Sequence, residues 1–361
     1  MDVAIRNTKN GRNKETHGEK TVITRRLLLA ATAATVAAPA VLRAATTKLK
    51  LSHYLPPQHQ SHLEFQRWAD ELRQKTGGQL DIEVYPAGQM GPPPRQFDLA
   101  RTGVADLSFV YTALSPGRFP LTDLLGAPFL FTDSNRRPIT TAQASLITTN
   151  LRDRVAHEYA GTEVLYFVVS TALGLFMRDK FVKSPDDLKG LRIRPTSATA
   201  ASHLQAWGAS PTTIGPTELA DALSKGVVDG AIFNFEGGKV FQLQQAVKRV
   251  SLIADSVGIF CLVMNSQAMK SLPKEMQQAI AETTGPAAGQ RVGGLYDSSE
   301  AAGRKVFEQS GVEISQIDGD AAMAFEQKTK TITDQQIAAL EAKGIKATQL
   351  LDEIRGQVAK A

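Results

Sequence analysis

The chain has 361 residues, 41 Lys or Arg against 36 Asp or Glu, and a formal net charge of +5. That surplus lies within residues 1–44, which hold eight bases and three acids; the remaining 317 residues balance 33 against 33 and give no support to nucleic-acid binding, which needs a clustered basic face. A single cysteine, Cys261, excludes an internal disulfide and any multi-cysteine metal site.

Residues 1–20 are polar, then Thr24-Arg25-Arg26-Leu27 opens an alanine-rich apolar run to Leu42, with small residues at Ala44 and Ala45. Residues 1–44 therefore read as a removable export signal of the twin-arginine type, too short for a transmembrane span. A membrane-anchoring helix, or a Sec signal that contains two arginines, is the alternative. No further run of eighteen apolar residues follows, so a soluble mature protein is expected. Its length exceeds what one hydrophobic core usually supports, so two lobes are expected.

Residues 48–53 alternate as a strand ended by Pro56-Pro57. A helix is predicted from Ser61, with Leu63, Phe65, Trp68 and Leu72 inward, closing at Gly77-Gly78. Residues 80–85 form the next strand, 95–101 a helix and 105–110 a third strand, which sets Tyr54, Tyr85 and Tyr111 at successive strand ends. Residues 115–131 are proline-rich and apolar, a packed irregular segment; 141–159 are helical, and 164–170 form a strand that crosses between lobes.

A short strand over 175–178 leads to the run 191–194, stopped by Pro195, which cannot donate to a ladder and favours extended geometry before it. Arg194 thus stands at a strand's carboxyl end. Ser197 caps a helix to Trp207, with Ala198, Ala201, Leu204 and Trp207 at helical spacing and Gly208 as its stop. A strand over 210–214 follows, then a helix opened by Pro216 and Thr217 that carries Leu219 and Leu223 and ends at Gly226, then a strand over 227–233. In such α/β sheets ligands gather beyond the carboxyl ends of strands, where Arg194, Phe233, Asn234 and Phe235 fall. Strands over 249–253 and 260–264 are expected to return towards the first lobe. From Ser266 the pattern is mostly helical, broken at Pro286 and Gly311. The lobes are expected mainly over residues 45–168 and 169–257, with 258–361 supplying a return strand to the first and helices packed across both.

No G-x-S-x-G, H-E-x-x-H or G-x-x-x-x-G-K-[ST] motif occurs, so no catalytic apparatus and no cofactor or metal is expected. His59 and His62 share one helix face with His53 nearby, and read either as a metal pair or as polar histidines at a helix entrance. Cys261, between Phe260 and Leu262, reads as a small buried hydrophobe. Arg194 offers a planar fork for a carboxylate; the alternative is a structural ion pair with Asp229, and Arg192 lies on the same face two residues earlier. Phe233 and Phe235 serve either the core or a ligand wall, and Asn234 either donates to a ligand or makes a turn.

The segments HYLPPQHQSH, GGQLDIEVYPAGQMG, GVADLSF, DDLKGLRIRP, WGASP and ELADALSKGVVDGAIFNFE, with the leader and the length, resemble the solute-binding proteins of tripartite ATP-independent periplasmic (TRAP) transporters, the DctP-like family. The resemblance runs over nearly the whole chain after the leader. It implies a two-lobe periplasmic binding fold of mixed sheets with flanking helices, a ligand cleft between the lobes, an organic acid as ligand and a membrane permease as recipient. Arg194 stands at the family's carboxylate-clamping arginine, and Tyr54 and Tyr111 match positions that line the pocket. Many members have an asparagine four residues after the aspartate of Asp229-Gly230; here Phe233 holds that place, Asn234 follows, and Phe235 is a candidate aromatic wall. Sialic-acid-binding relatives carry a further arginine where this chain has Gly174, which argues against a sialic acid; Arg178, nearby, is kept as a candidate ligand contact.

The sequence therefore predicts a periplasmic, non-enzymatic protein that closes on a small organic carboxylate and touches the membrane only through a TRAP permease. An exported enzyme acting on a small carboxylate, or a binding protein serving a sensor or an ATP-driven importer, is the alternative. The aromatic walls favour a monocarboxylate with an apolar or aromatic body over a dicarboxylate.

Overall fold

Short alternating runs separated by helical spacing build crossovers between parallel strands. The computed structural model describes residues 46–254 and 256–361; the leader expected over 1–44, with Arg25 and Arg26, lies outside the described residues. The first half of the chain gives β1 (Thr47–Ser52), α1 (Gln60–Lys75), β2 (Leu80–Tyr85), α2 (Gln96–Arg101), β3 (Leu107–Tyr111), α3 (Pro120–Asp123), α4 (Thr141–Asn150), α5 (Arg152–Val155) and β4 (Thr162–Val169). The middle gives β5 (Gly174–Met177), β6 (Arg192–Arg194), α6 (Ala198–Ala206), β7 (Ser210–Pro211), α7 (Leu219–Ser224), β8 (Gly230–Phe233), α8 (Phe235–Val240), β9 (Arg249–Leu252) and β10 (Ile259–Asn265). The remainder is α9 (Ser266–Ser271), α10 (Lys274–Thr283), α11 (Pro286–Gln309), β11 (Glu313–Gln316), α12 (Gly319–Glu341) and α13 (Ala347–Val358).

These strands form two sheets, ordered β2-β1-β3-β10-β4 and β11-β9-β5-β8-β6-β7. In the first, β1, β2 and β3 run parallel while β10 enters antiparallel between β3 and β4. In the second, β6 and β8 are parallel, and β5 runs against β8 and β9. Residues 170–173 carry the chain from the first sheet to the second, and after β9 the chain goes back to the first sheet as β10. Residues 249–253, expected to return to the first lobe, instead supply β9 to the second sheet.

Both faces of each sheet are covered, and the strand period of two divides the core. In β10, Leu262 and Met264 join Phe65, Trp68 and Tyr296 on one face, while Cys261 and Val263 join Phe119, Tyr159 and Leu351 on the other. In the second sheet Leu175, Ile193 and Ile232 pack on Trp207 and Phe325, whereas Phe176, Ala231 and Val250 pack on Leu219 and Phe307. Each large apolar side chain fully buried in this way stabilises the fold by roughly 1.5–3 kcal/mol. Cys261 is one of these core residues, its thiol pushed up to about 12 by burial.

Several expected details differ for local reasons. Leu63, predicted inward on α1, is 55% exposed; it sits two residues, or about 200° of helix, from Phe65 and cannot share its stripe. On α6 the buried face is Ala200, His203, Leu204 and the cap Trp207, with Ala198 exposed. The strand expected over 210–214 shrinks to two residues, where Pro211 supplies no N–H to a ladder. The helix expected over 141–159 ends at the cap Leu151 and resumes as α5 and a final turn. Pro286 begins α11 rather than breaking a helix, the position where a missing N–H costs nothing. Strand β11, too short and polar to be read from pattern, adds an edge beside β9.

The 24-residue α11 packs on α4 at one end and on α8 at the other, so it touches both halves of the fold. Close approach requires glycine there: a Cβ at Gly293 would lie 2.5 Å from the Thr141 carbonyl oxygen, and one at Gly303 would collide with the Phe235 carbonyl. No helix among the described residues is long and apolar enough to cross a membrane.

Candidate functional site

Parallel strands of both sheets direct their carboxyl ends at shared ground. From the first sheet come Tyr54, just past β1, and Tyr111, the last residue of β3; from the second come Arg194 at the end of β6 and Phe233 at the end of β8. Arg194 Nε donates to the Ile214 carbonyl at 3.1 Å, and its guanidinium carbon lies 5.4 Å from the Phe233 ring centre. Burial pulls the Arg194 guanidinium below its ordinary pKa, and the neighbouring Tyr111 opposes this. Among the described residues Arg194 forms no ion pair. Burial likewise raises the Tyr111 phenol, countered by Arg194 and by a hydrogen bond with Thr196; its ring stacks on Phe260 at 4.5 Å. Tyr54 is half-buried, its phenol pushed well up by burial, with Tyr296, Tyr111 and Glu236 adding to the effect. A cavity of about 330 Å³ opens beside this cluster, lined among others by Tyr111, Asp123, Thr196, Ser197, Ser256 and Lys343.

Asp229 does not pair with Arg194. Arg192 takes it in a two-pronged contact, Nη2 to Oδ1 at 2.8 Å and Nε to Oδ2 at 3.1 Å, which holds the carboxyl below its usual range. The structural ion pair considered for Arg194 therefore falls to its neighbour.

Three other expected site residues lie elsewhere or are already engaged. Arg178 follows β5, which runs antiparallel to β8, so its N–H meets the Asp229 carbonyl at the start of β8. That is the far end of the strand from Phe233, about 13 Å away by strand rise; Gly174 pairs with Phe233 at the near end. Phe235 is buried at 1% exposure between Phe176 and Phe307, ring centres 5.1 and 5.2 Å away, and is a core residue rather than a wall. Asn234 caps α8: Oδ1 accepts from the Gly237 N–H at 3.2 Å, and Nδ2 donates to Thr171 Oγ1 at 2.9 Å. Tyr85, on the outer side of β1, donates to Glu83 at 3.0 Å and stands apart from the other two tyrosines.

Pattern reading missed a second polar group, one that joins the start of α1 to α8. His59 is the N-cap of α1, and its Nδ1 accepts from the Ser61 N–H at 3.1 Å. The ring proton therefore belongs on Nε2, which faces Glu236 Oε1 at 2.8 Å. Gln60 Nε2 donates to the same oxygen at 3.0 Å. Burial works to raise the Glu236 carboxyl, but hydrogen bonds from His59, Gln60 and Asn234 outweigh it and hold the group below its ordinary value. Glu300 of α11 accepts from the N–H groups of Phe235 and Glu236 at 3.0 and 2.8 Å and from Thr171 at 3.1 Å, yet burial still lifts it to about 7. His53 and His62 bond to each other at 2.9 Å, with His53 driven down to about 3 by burial and then by His62. The histidines thus stand at the entrance of α1 as polar groups, buried and paired. Among the described residues no group of His, Cys, Asp and Glu forms a metal-binding set. The available signal was Glu236 two positions past a helix-capping asparagine, which marks a helix start and says nothing of what the carboxylate meets.

A half-buried guanidinium, tyrosine hydroxyls and an aromatic face between two α/β lobes is an arrangement suited to holding an organic carboxylate. A TRAP periplasmic solute-binding protein from Bordetella bronchiseptica, solved with (R)- and (S)-mandelate, is 28% identical with a TM-score of 0.77, covering 87% of this chain and 99% of that one. A TRAP solute-binding protein from Rhodoferax ferrireducens, solved with copurified benzoate, is 26% identical with a TM-score of 0.79, covering 87% and 98%. A solute-binding protein of Chromohalobacter salexigens is 24% identical over 78% of this chain and 82% of its own. The profile of bacterial extracellular solute-binding proteins, family 7, matches residues 51–339. On fold and sequence together, the chain belongs to that family, the DctP family of TRAP solute-binding proteins.

Proposed function

We propose that this protein captures a small organic monocarboxylate with an apolar or aromatic body between its lobes and delivers it to a TRAP membrane permease. The observation that carries this reading is Arg194, a half-buried guanidinium at a strand end whose only direct protein acceptor among the described residues is the Ile214 carbonyl. An arginine fork in such a place pairs two-pronged with a carboxylate, more strongly as water is excluded. Tyr111 supplies a hydroxyl and a ring from the opposite lobe, Tyr54 a second hydroxyl, and Phe233 an aromatic surface beneath the guanidinium. Mandelate and benzoate in the two relatives are acids of this class. Closure is a hinge motion about the two crossing segments, in which the ligand stabilises the closed state by bridging the lobes. Export by the twin-arginine route to the periplasm, and membrane contact only through the permease, complete the proposal.

Native mass spectrometry of the purified protein, followed by a thermal-shift screen of organic acids, tests it. Benzoate or mandelate at a hundred times its dissociation constant stabilises the folded state by about 2.7 kcal/mol, a readily measured rise in melting temperature. Turnover of the acid, or no response to any monocarboxylate in a ligand-stripped sample, overturns the reading.

A further inference from the structure

Strand register decides what Arg194 meets. In the parallel pair of β6 and β8, Arg194 stands opposite Ala231, so Arg194, Ala231 and, two residues on, Phe233 share one face of the sheet, while Ile193 and Ile232 share the other. Phe233 is 7% exposed and has little surface left for a ligand. Its ring is fixed by Phe176 and Phe241, ring centres 6.4 and 6.1 Å away, and by the first turn of α8, where a Cβ at Gly237 would lie 2.7 Å from Phe233 Cε1. The Arg194 guanidinium carbon lies 5.4 Å from the centre of that fixed ring, within reach of a cation–π contact. Arg194 Nε donates its single hydrogen to the Ile214 carbonyl at 3.1 Å. Arg192 pairs with Asp229 through Nε and Nη2. With Nε committed, Arg194 has the edge formed by Nη1 and Nη2 left for a two-pronged contact.

Resting on the carboxylate-capture reading, we propose that Phe233 is a positioning residue: its ring and the Ile214 carbonyl together hold the Arg194 guanidinium so that the Nη1–Nη2 edge meets the ligand's carboxylate. The fork is then set before the ligand arrives, and binding does not have to order that side chain. A ring that fixes the cation in this way raises affinity about tenfold, and does so only through the cation.

Calorimetric titration of the purified, ligand-stripped protein with benzoate, together with a crystal structure of the benzoate complex, tests this. Phe233→Leu, which keeps an apolar side chain and removes the ring, is expected to weaken benzoate binding about tenfold. In an Arg194→Lys background the same change is expected to cost about threefold or less, because an ammonium has no edge to orient. That difference between backgrounds separates positioning from direct contact with the ligand or from a general loss of packing, either of which weakens both backgrounds alike. In wild-type protein the carboxylate is expected on Nη1 and Nη2 with Nε still on the Ile214 carbonyl, a readout that needs no variant to fold. Unchanged affinity in Phe233→Leu, an equal loss in the Arg194→Lys background, or a bound carboxylate that takes Nε from Ile214 overturns the proposal while leaving carboxylate capture standing. Failure of benzoate to bind the wild type overturns capture.

Discussion

Arg192 grips Asp229 through both prongs of its guanidinium, at 2.8 and 3.1 Å, and thereby leaves Arg194, two residues on, free of the nearest acid in sequence pattern. One strand thus carries an arginine committed to an ion pair and a second, Arg194, that is proposed to take the ligand. Arg192 is 47% exposed, and an exposed pair contributes at most about 1 kcal/mol. Arg192→Ala is therefore expected to shift the urea midpoint slightly and leave benzoate affinity within about twofold. Arg194→Ala strands a buried carboxylate without its partner, at a cost of roughly 2–5 kcal/mol, so affinity falls by about 100-fold or more. Arg194→Lys keeps the charge but loses the fork and is expected to fall between them. Calorimetric titration of the three variants decides; equal affinities for wild type and Arg194→Ala would remove Arg194 from the site.

The contact between His59 and Glu236 joins the two lobes through side chains that are 5% and 8% exposed. Replacing His59 by alanine removes the N-cap of α1, worth about 1 kcal/mol, and leaves a buried carboxylate short of a donor, at roughly 1–3 kcal/mol. His59→Asn restores the cap without reaching Glu236, so the difference between the two variants separates local from interlobe effects. Small-angle scattering of ligand-free His59→Asn is expected to show a larger radius of gyration than wild type. An unchanged radius would mean that the contact does not hold the lobes together.

Glu300 makes stability depend on pH in a direction opposite to that of a salt-bridged acid. Its folded value of about 7 lies above the ordinary 4.5, because burial opposes the charged form. Between these values the native state keeps a proton that the unfolded chain releases, so stability falls as pH rises through this window. The ceiling is about 3 kcal/mol at roughly 1.4 kcal/mol per pH unit. Asp123, lifted to about 7 by burial and then by Glu158, acts in the same sense. His53, lowered to about 3, acts oppositely: its contribution is present above the ordinary 6.5 and is lost as pH falls towards 3. Glu300→Gln is expected to lose less stability than wild type between pH 5 and pH 8 in urea titrations. Parallel pH profiles for the two proteins would show that Glu300 does not keep its proton in the native state.

Residues whose roles follow from local chemistry were the readable ones. Pro195 ends β6 and puts Arg194 at a carboxyl end, and Ser197 caps α6 by accepting from the Ala200 N–H at 3.1 Å. The alternation in β2 fixes both its limits, Leu80 and Tyr85. Errors arose where side-chain geometry depends on a distant neighbour. Arg178 was close to the site in sequence but is carried away by the antiparallel course of β5. Phe235 and Phe233 differ in role because α8 turns one ring into the core against Phe307, while the other stays under Arg194.

Sequence alone determined the α/β cycle, the strand-end position of Arg194 and the family, because strand and helix periods, prolines, glycines and caps act within a few residues. Tertiary structure decided which arginine takes Asp229, which phenylalanine lies under Arg194, and that His59 meets Glu236 across 177 positions of chain. Those outcomes depend on sheet order and lobe apposition, which fix contacts between residues far apart in the chain that no local pattern encodes.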